Sequence, residues 1–369
     1  MLRFMVLMGF IAFFVGCERE KPVTIGFIGG LTGRTADLGS HSRNGMILAI
    51  EEWNERGGIN GKPIEMLIRD DKQDPARARA VFAELIEADI DAAVGPSTSS
   101  IAVEVAPLAN EAGILLIGTT VTTNQLQDKD DTFFRTVATT RNSTTHLIEI
   151  LKSRIDIKQF AIVQDLSNKA YTESWKSDFI NGMALDGIEP NFDAQFTSGD
   201  NLRLLEISQQ LALVETDIIV LVTNATDAAL LVKQIRSFNT DVDVVTAEWA
   251  GTSQFLQLAG RDAEGIVVPR YIDESSDDPL FIDLTKRYNE RFQQGMGYPG
   301  LLAYNATNAL LEAISNKEDD ESIKEYLINK REFQAVLATF ELNQFGDEVR
   351  NAFHFVTQVE DGKFITVRD

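Results

Sequence analysis

DIIVLV, residues 217–222, places an unbroken apolar run behind a single acid. An antiparallel strand exposed on one face would alternate apolar and polar residues. A run of this kind suits a parallel strand buried on both faces and linked to its neighbours by right-handed helical crossovers. Working outward, similar runs alternate with helical patterns along the whole chain. Val23–Ile28 is strand-like, and residues 45–54 carry Met46, Ile47, Ile50 and Trp53 at helical spacing. Then come a strand over 64–68, a helix over about 76–87, a strand over 91–94, a helix over about 100–110 and a strand over 114–117. The alternation resumes with a strand at 160–163, a helix near 172–184, the 218–222 strand, a helix through 228–235 and a strand at 242–245. The pattern predicts an α/β protein with doubly wound parallel sheets.

The N-terminus reads differently. MLRFMVLMGFIAFFVGC has one charge, Arg3, then an apolar stretch from Met5 to Val15 and Gly16-Cys17. A bilayer span needs about 20 apolar residues, and this stretch is too short. A short apolar region ending at a small residue predicts a cleaved signal peptide over 1–16. Phe14-Val15-Gly16-Cys17 resembles the bacterial lipobox, with Phe14 where Leu is usual. Cys17 is the single cysteine of the chain, so no intramolecular disulfide competes for it in an exported protein. It is expected to carry a lipid, with residues 17–21 as a polar tether.

The remaining roughly 350 residues suffice for two domains of ordinary size. No Pro- or Ser-rich linker separates them, so the chain is expected to pass between two lobes several times, near 140, 270 and 335. This gives residues 22–140 with 271–334 as the first lobe and 141–270 with 335–369 as the second. The net charge of −22 argues against nucleic acid, which requires clustered Lys and Arg against phosphates, and against a broad grip on anionic lipid.

Catalytic motifs fail on inspection. Gly26, Gly29, Gly30 and Gly33 contain no G-x-G, so the dinucleotide fingerprint is absent. In residues 57–63 (GGINGKP) the spacing before Gly61 is one short of a phosphate loop, and Pro63 stands where Mg²⁺ needs a Ser or Thr. GPSTS at 95–99 ends in Ser where a nucleophile elbow needs Gly. His41, His146 and His354 are far apart in sequence, and without a second Cys or an H-E-x-x-H no metal site is predicted. No cofactor and no enzyme activity are expected.

IGFIGGLTGRTADLGSHSRNGMILAIEEWNERGGINGKPIEMLIRDDKQDPARA is similar to the opening of the leucine/isoleucine/valine-binding type of periplasmic substrate-binding proteins. Matching blocks follow in VGPSTSSIAVEVAPLANEAGILLIGTTVT, FAIVQD with AYTESW, AEWAGTSQFLQLAG, AEGIVV and YPGLLAYNATNALLEAI, and the resemblance covers nearly all of residues 22–369. It implies two doubly wound lobes joined by three crossovers, with a ligand in the cleft between them. It also implies a lipid-anchored cell-envelope receptor, periplasmic or at the cell surface, that passes a small solute, an amino acid above all, to an ABC transporter permease in the inner membrane.

Carried over residue by residue, the resemblance puts Ser99 and Thr122 at the ligand carboxylate. Thr120 would offer its backbone carbonyl to the ammonium, with Glu248 as the acidic partner from the second lobe and Tyr171 closing over the ligand. Tyr171 sits in a loop about two residues longer than the family pattern. Each has a plain structural alternative: a helix N-cap for Ser99, a β-prone strand end for Thr120 and Thr122, a solvated loop carboxylate for Glu248 and a half-buried surface tyrosine for Tyr171. The side-chain pocket departs from branched-chain binders. Leu38 and Ala225 stand where aromatics are common, Trp249 stands where a small residue is frequent, and Ser97 and Thr98 add polarity. Trp249 is either a pocket wall or a lobe-packing residue. Arg34, Arg141 and His41 could reach an acidic side chain. Three rivals remain beside an amino-acid receptor: a sensor subunit, an envelope interaction module of the same fold, and a binder of amides, urea or short carboxylates.

Overall fold

The computed structural model describes residues 21–238 and 241–367. The expected signal peptide, Cys17 and the expected tether up to residue 20 lie outside the described residues. In the first lobe, Val23–Gly29 (β1), Ile64–Asp70 (β2), Ala92–Val94 (β3), Leu115–Gly118 (β4) and Phe133–Arg135 (β5) form a five-stranded sheet in the order β2-β1-β3-β4-β5. All its pairings are parallel. Every residue of β1 is buried, as expected of a strand covered on both faces. The covering helices are Ala36–Glu55 (α1), Pro75–Glu87 (α2) and Ser99–Ala112 (α3).

The second lobe holds Thr140–Arg154 (α4), Phe160–Asp165 (β6), Lys169–Ala184 (α5), Pro190–Phe196 (β7) and Asn201–Leu211 (α6). It continues with Ile218–Val222 (β8), Ala225–Phe238 (α7), Asp243–Thr246 (β9), Ser253–Ala259 (α8) and Val267–Arg270 (β10). The chain then returns to the first lobe with Pro279–Phe292 (α9), Tyr298–Asn316 (α10), Ile323–Lys330 (α11) and a small hairpin, Glu332–Gln334 (β11) with Thr339–Glu341 (β12). Phe355–Glu360 (β13) and Lys363–Thr366 (β14) close the second sheet antiparallel, in the order β14-β13-β10-β9-β8-β6-β7. The opening run becomes β8, buried at every residue and paired in parallel with β6 and β9.

The returning helix α10 rests on α1. A Cβ at Gly45 would stand 2.0 Å from the Gly300 carbonyl oxygen, so glycine is what lets the two backbones meet. One apolar cluster runs from Ile25 and Phe27 in β1 to Ile162 and Val220 in the second sheet, with a separate cluster on the outer side of each lobe. Among the described residues no helix is long and apolar enough to cross a membrane.

The chain leaves the first lobe between β5 and α4 and returns between β10 and α9. The last passage differs from the expected position near 335. Asn305 bonds both the N–H and the carbonyl of Val336 (3.1 and 3.2 Å), and the Arg135 N–H donates to the Gly346 carbonyl (3.0 Å). Asp347 accepts from Arg135 Nε at 2.7 Å. Residues 335–348 therefore belong with the first lobe, and the third passage lies at 349–354. The cause is a buried ion pair between residues remote in sequence, which no local pattern signals.

Candidate functional site

The carboxyl ends of both sheets face a common cleft, the position at which open α/β sheets bind ligands. From the first lobe, Ser97 follows β3 and Thr120 and Thr122 follow β4, while Leu38 lies in the first turn of α1 after β1. From the second, Tyr171 opens α5 after β6, and Glu248 and Trp249 follow β9. These seven residues line a small cavity together with Asn168, Tyr271 and Tyr298.

The lobes are drawn together around it. Asn168 Oδ1 accepts the Ser100 N–H (3.0 Å) while Ser100 Oγ accepts the Ala170 N–H (3.1 Å), so the starts of α3 and α5 cap each other across the cleft. At the rim, Arg34 forms an ion pair with Asp227, whose side chain is fully buried in the second lobe.

Glu248 is the charged group of the cavity and is 1% exposed. Its Oε2 accepts from the Tyr171 hydroxyl and from Trp175 Nε1, each at 2.8 Å. Its Oε1 lies 3.4 Å from His354 Nε2 without the alignment of a hydrogen bond. Burial pushes the carboxyl up, but His354, the local backbone and Tyr171 together outweigh burial and hold it below the ordinary glutamate value. Burial first, and the nearby charge of Glu248, push the phenols of Tyr171 and Tyr271 well above their ordinary value. For Tyr298, burial and then Asp37 act in the same direction. The three phenols therefore stay neutral, and that of Tyr171 donates to the carboxylate.

On the first lobe the Thr120 hydroxyl donates to the Ser97 carbonyl, and the Thr122 N–H donates to Ser99 Oγ at 3.3 Å. The buried Thr122 hydroxyl lies beside that of Tyr271 without hydrogen-bond geometry, which leaves it available to a ligand. Trp249 meets Tyr171 edge to face (ring centroids 6.1 Å apart) and is a wall of the cavity.

Three expected site residues stand behind the cavity surface. Ser99 is buried in the first turn of α3 with its hydroxyl on Thr122, and Thr98 occupies the N-cap without a side-chain cap bond. Ala225 opens α7 and packs into the outer core of the second lobe, because Asn224 ahead of it turns the chain by accepting from the Thr226 and Asp227 N–H groups. Arg34 is committed to Asp227, Arg141 approaches Asp178 (3.8 Å), and His41 bonds the Tyr288 hydroxyl (3.0 Å). None of the three lines the cavity. Sequence reasoning missed Asn168, Tyr271 and Tyr298, together with Trp175 and His354 behind Glu248. Tyr271 and Asn168 follow strands at their carboxyl ends, a signal that could have found them. His354 carries no such mark.

The cavity sets one buried carboxylate, Glu248, opposite the hydroxyls of the first lobe. Among the described residues no cluster of three metal-ligating side chains occurs. A model of the periplasmic binding protein family matches residues 22–362. The leucine-, isoleucine-, valine-, threonine- and alanine-binding protein of Pseudomonas aeruginosa is 25% identical over 328 residues, covering 88% of this chain and 86% of that protein. The fold superposes on the substrate-binding protein LivJ of a Streptococcus pneumoniae branched-chain amino acid transporter, crystallised with isoleucine. The TM-score is 0.84 at 21% identity, covering 94% of this chain and 99% of that one. A Rhodopseudomonas palustris solute-binding protein in complex with benzoate gives the same TM-score of 0.84 at 17% identity, covering 94% and 96%. With its two-lobed fold, its interlobe cavity and a family match spanning residues 22–362, the chain belongs to the periplasmic binding protein family, in its leucine-binding type.

Proposed function

We propose that this protein captures a small amino acid between its lobes and delivers it to an ABC importer through a permease in the inner membrane. The observation that carries the reading is Glu248, a fully buried carboxylate on a cavity whose other side is supplied by hydroxyls of the opposite lobe. A buried anion of this kind requires a cationic partner. A ligand ammonium supplies it, while the ligand carboxylate faces Ser97, Thr120 and Thr122. Each lobe then holds one end of the same molecule, which couples binding to closure.

A second reading is favoured by the walls. Tyr171, Trp249, Tyr271 and Tyr298 are all aromatic, and a related fold holds benzoate. A simple aromatic carboxylate would bring a second negative charge to Glu248, so the zwitterion is preferred.

A thermal-shift screen of the mature protein against the proteinogenic amino acids, amides, urea and benzoates tests the reading. A ligand present at 100 times its dissociation constant should stabilise the fold by about 2.7 kcal/mol. No shift with any amino acid would return the choice to the carboxylate, amide or interaction-module readings.

The lipid anchor is part of the same proposal and rests on the lone Cys17 at the end of an apolar segment. One acyl chain holds a protein only marginally, so stable anchoring implies more than one on that cysteine. Cys17→Ala should release the protein from membranes into the soluble fraction. Continued sedimentation with membranes in high salt would refute the anchor.

A further inference from the structure

Glu248 is satisfied on one oxygen only. Oε2 holds the two neutral donors Tyr171 and Trp175, whereas Oε1 has no aligned donor. The group beside Oε1 is the imidazole of His354, which enters from the third passage, directly ahead of β13. The His354 side chain is 1% exposed, and both of its ring nitrogens lack a hydrogen-bond partner. It is packed edge-on to His146 of α4 (centroids 5.4 Å apart) and faces Tyr271 after β10 (6.4 Å). A buried imidazole left without partners, next to a carboxylate left with half its acceptors free, is an arrangement that one proton can change.

We infer that His354 is the protein's own counter-ion for Glu248 and competes with the ligand ammonium for Oε1, which makes it a specificity-determining residue. Protonated on Nε2, the imidazolium neutralises Glu248, and the site accepts a carboxylate without an amine. Deprotonated, it leaves Glu248 to the ammonium of an amino acid. One buried carboxylate balances one cation, and two cations on it would leave an unmatched charge out of water. Glu248 itself is held below the ordinary carboxyl range, with His354 the first of the groups that lower it against burial. Tyr271 and Tyr171 stay neutral because burial raises their phenols. His146 is the other imidazole within reach and serves as the control.

The inference rests on the amino-acid reading, so one arm of the test needs no ligand. In the ligand-free protein the His354 imidazole is followed by NMR and assigned with His354→Gln. Glu248→Gln should change the pH response of the His354 ring signals, and His146→Gln should leave most of that coupling in place. A pH response unmoved by Glu248→Gln overturns the inference, whatever the ligand proves to be. In the second arm, the amino acid with the largest thermal shift is titrated calorimetrically. Its affinity should rise about fivefold or more between about pH 5.5 and about pH 8. The carboxylic acid of the same skeleton without the amine should show the opposite slope. His354→Gln, or His354→Asn as a second variant, should flatten both slopes, while His146→Gln should keep them. Parallel slopes for the two ligands, or slopes that survive loss of His354, overturn the inference. Failure of every amino acid to bind would remove the functional reading and leave the NMR arm to decide on His354.

Discussion

Replacing Glu248 with Ala is expected to weaken an amino-acid ligand by about two to three orders of magnitude. Truncating one partner of a buried charge pair costs about 3–5 kcal/mol, because the other charge is left unmatched, and each 1.4 kcal/mol is about tenfold in affinity. The burial of Glu248 at 1% exposure places it in that regime, in contrast to surface pairs worth little. Tyr171 and Trp175 would also lose their common acceptor, so part of the loss would appear as reduced stability of the closed form. Glu248→Gln separates the two effects, since an amide retains an acceptor for both donors while removing the charge. Calorimetric titration of wild type, Glu248→Gln and Glu248→Ala decides the matter. A change below about fivefold in both variants would mean that no ligand ammonium sits at this carboxylate.

The second large effect is expected on stability. Arg135 is fully buried and pairs through Nε with Asp347, while its Nη1 holds the Thr123 carbonyl at 2.8 Å. Asp347→Ala would leave the guanidinium without a countercharge, at a cost of about 3–5 kcal/mol. In a lobe of this size each kcal/mol lowers the melting temperature by about 2–4 °C, so a fall of about 10 °C is expected in the scan. Chemical denaturation gives the free energy directly. Removing both partners with apolar side chains should recover much of the loss, because no charge then stays behind. If Asp347→Ala melts within about 2 °C of wild type, the pair carries little of the stability. The same variant should loosen ligand binding as well, since Thr123 is adjacent to Thr122 in the loop after β4.

The organisation of the molecule was largely legible in short-range pattern. Apolar runs such as 217–222 can be buried only between two helical layers, and the helical spacing of Met46, Ile50 and Trp53 supplies such a layer. The resemblance to periplasmic substrate-binding proteins put Ser97, Thr120, Thr122, Tyr171, Glu248 and Trp249 near one cleft, and the structure brings these residues to a single cavity. Local chemistry was less legible. Thr98, Ser99 and Ala225 fall at helix starts, where the direction of a side chain depends on how the helix is seated.

What the sequence determined by itself was the alternation of buried strands and amphipathic helices, and with it the two-layered wrapping of each sheet. Both follow from neighbours within a few residues. Only the tertiary structure decided where the third passage falls and which groups meet Glu248. Asp347 reaches back to Arg135, and His354 to Glu248, across long stretches of intervening chain. Such pairs exist only after segments remote in sequence have packed together and removed water from between them. Charge pairing between remote segments has no period in the sequence, whereas burial of a strand does.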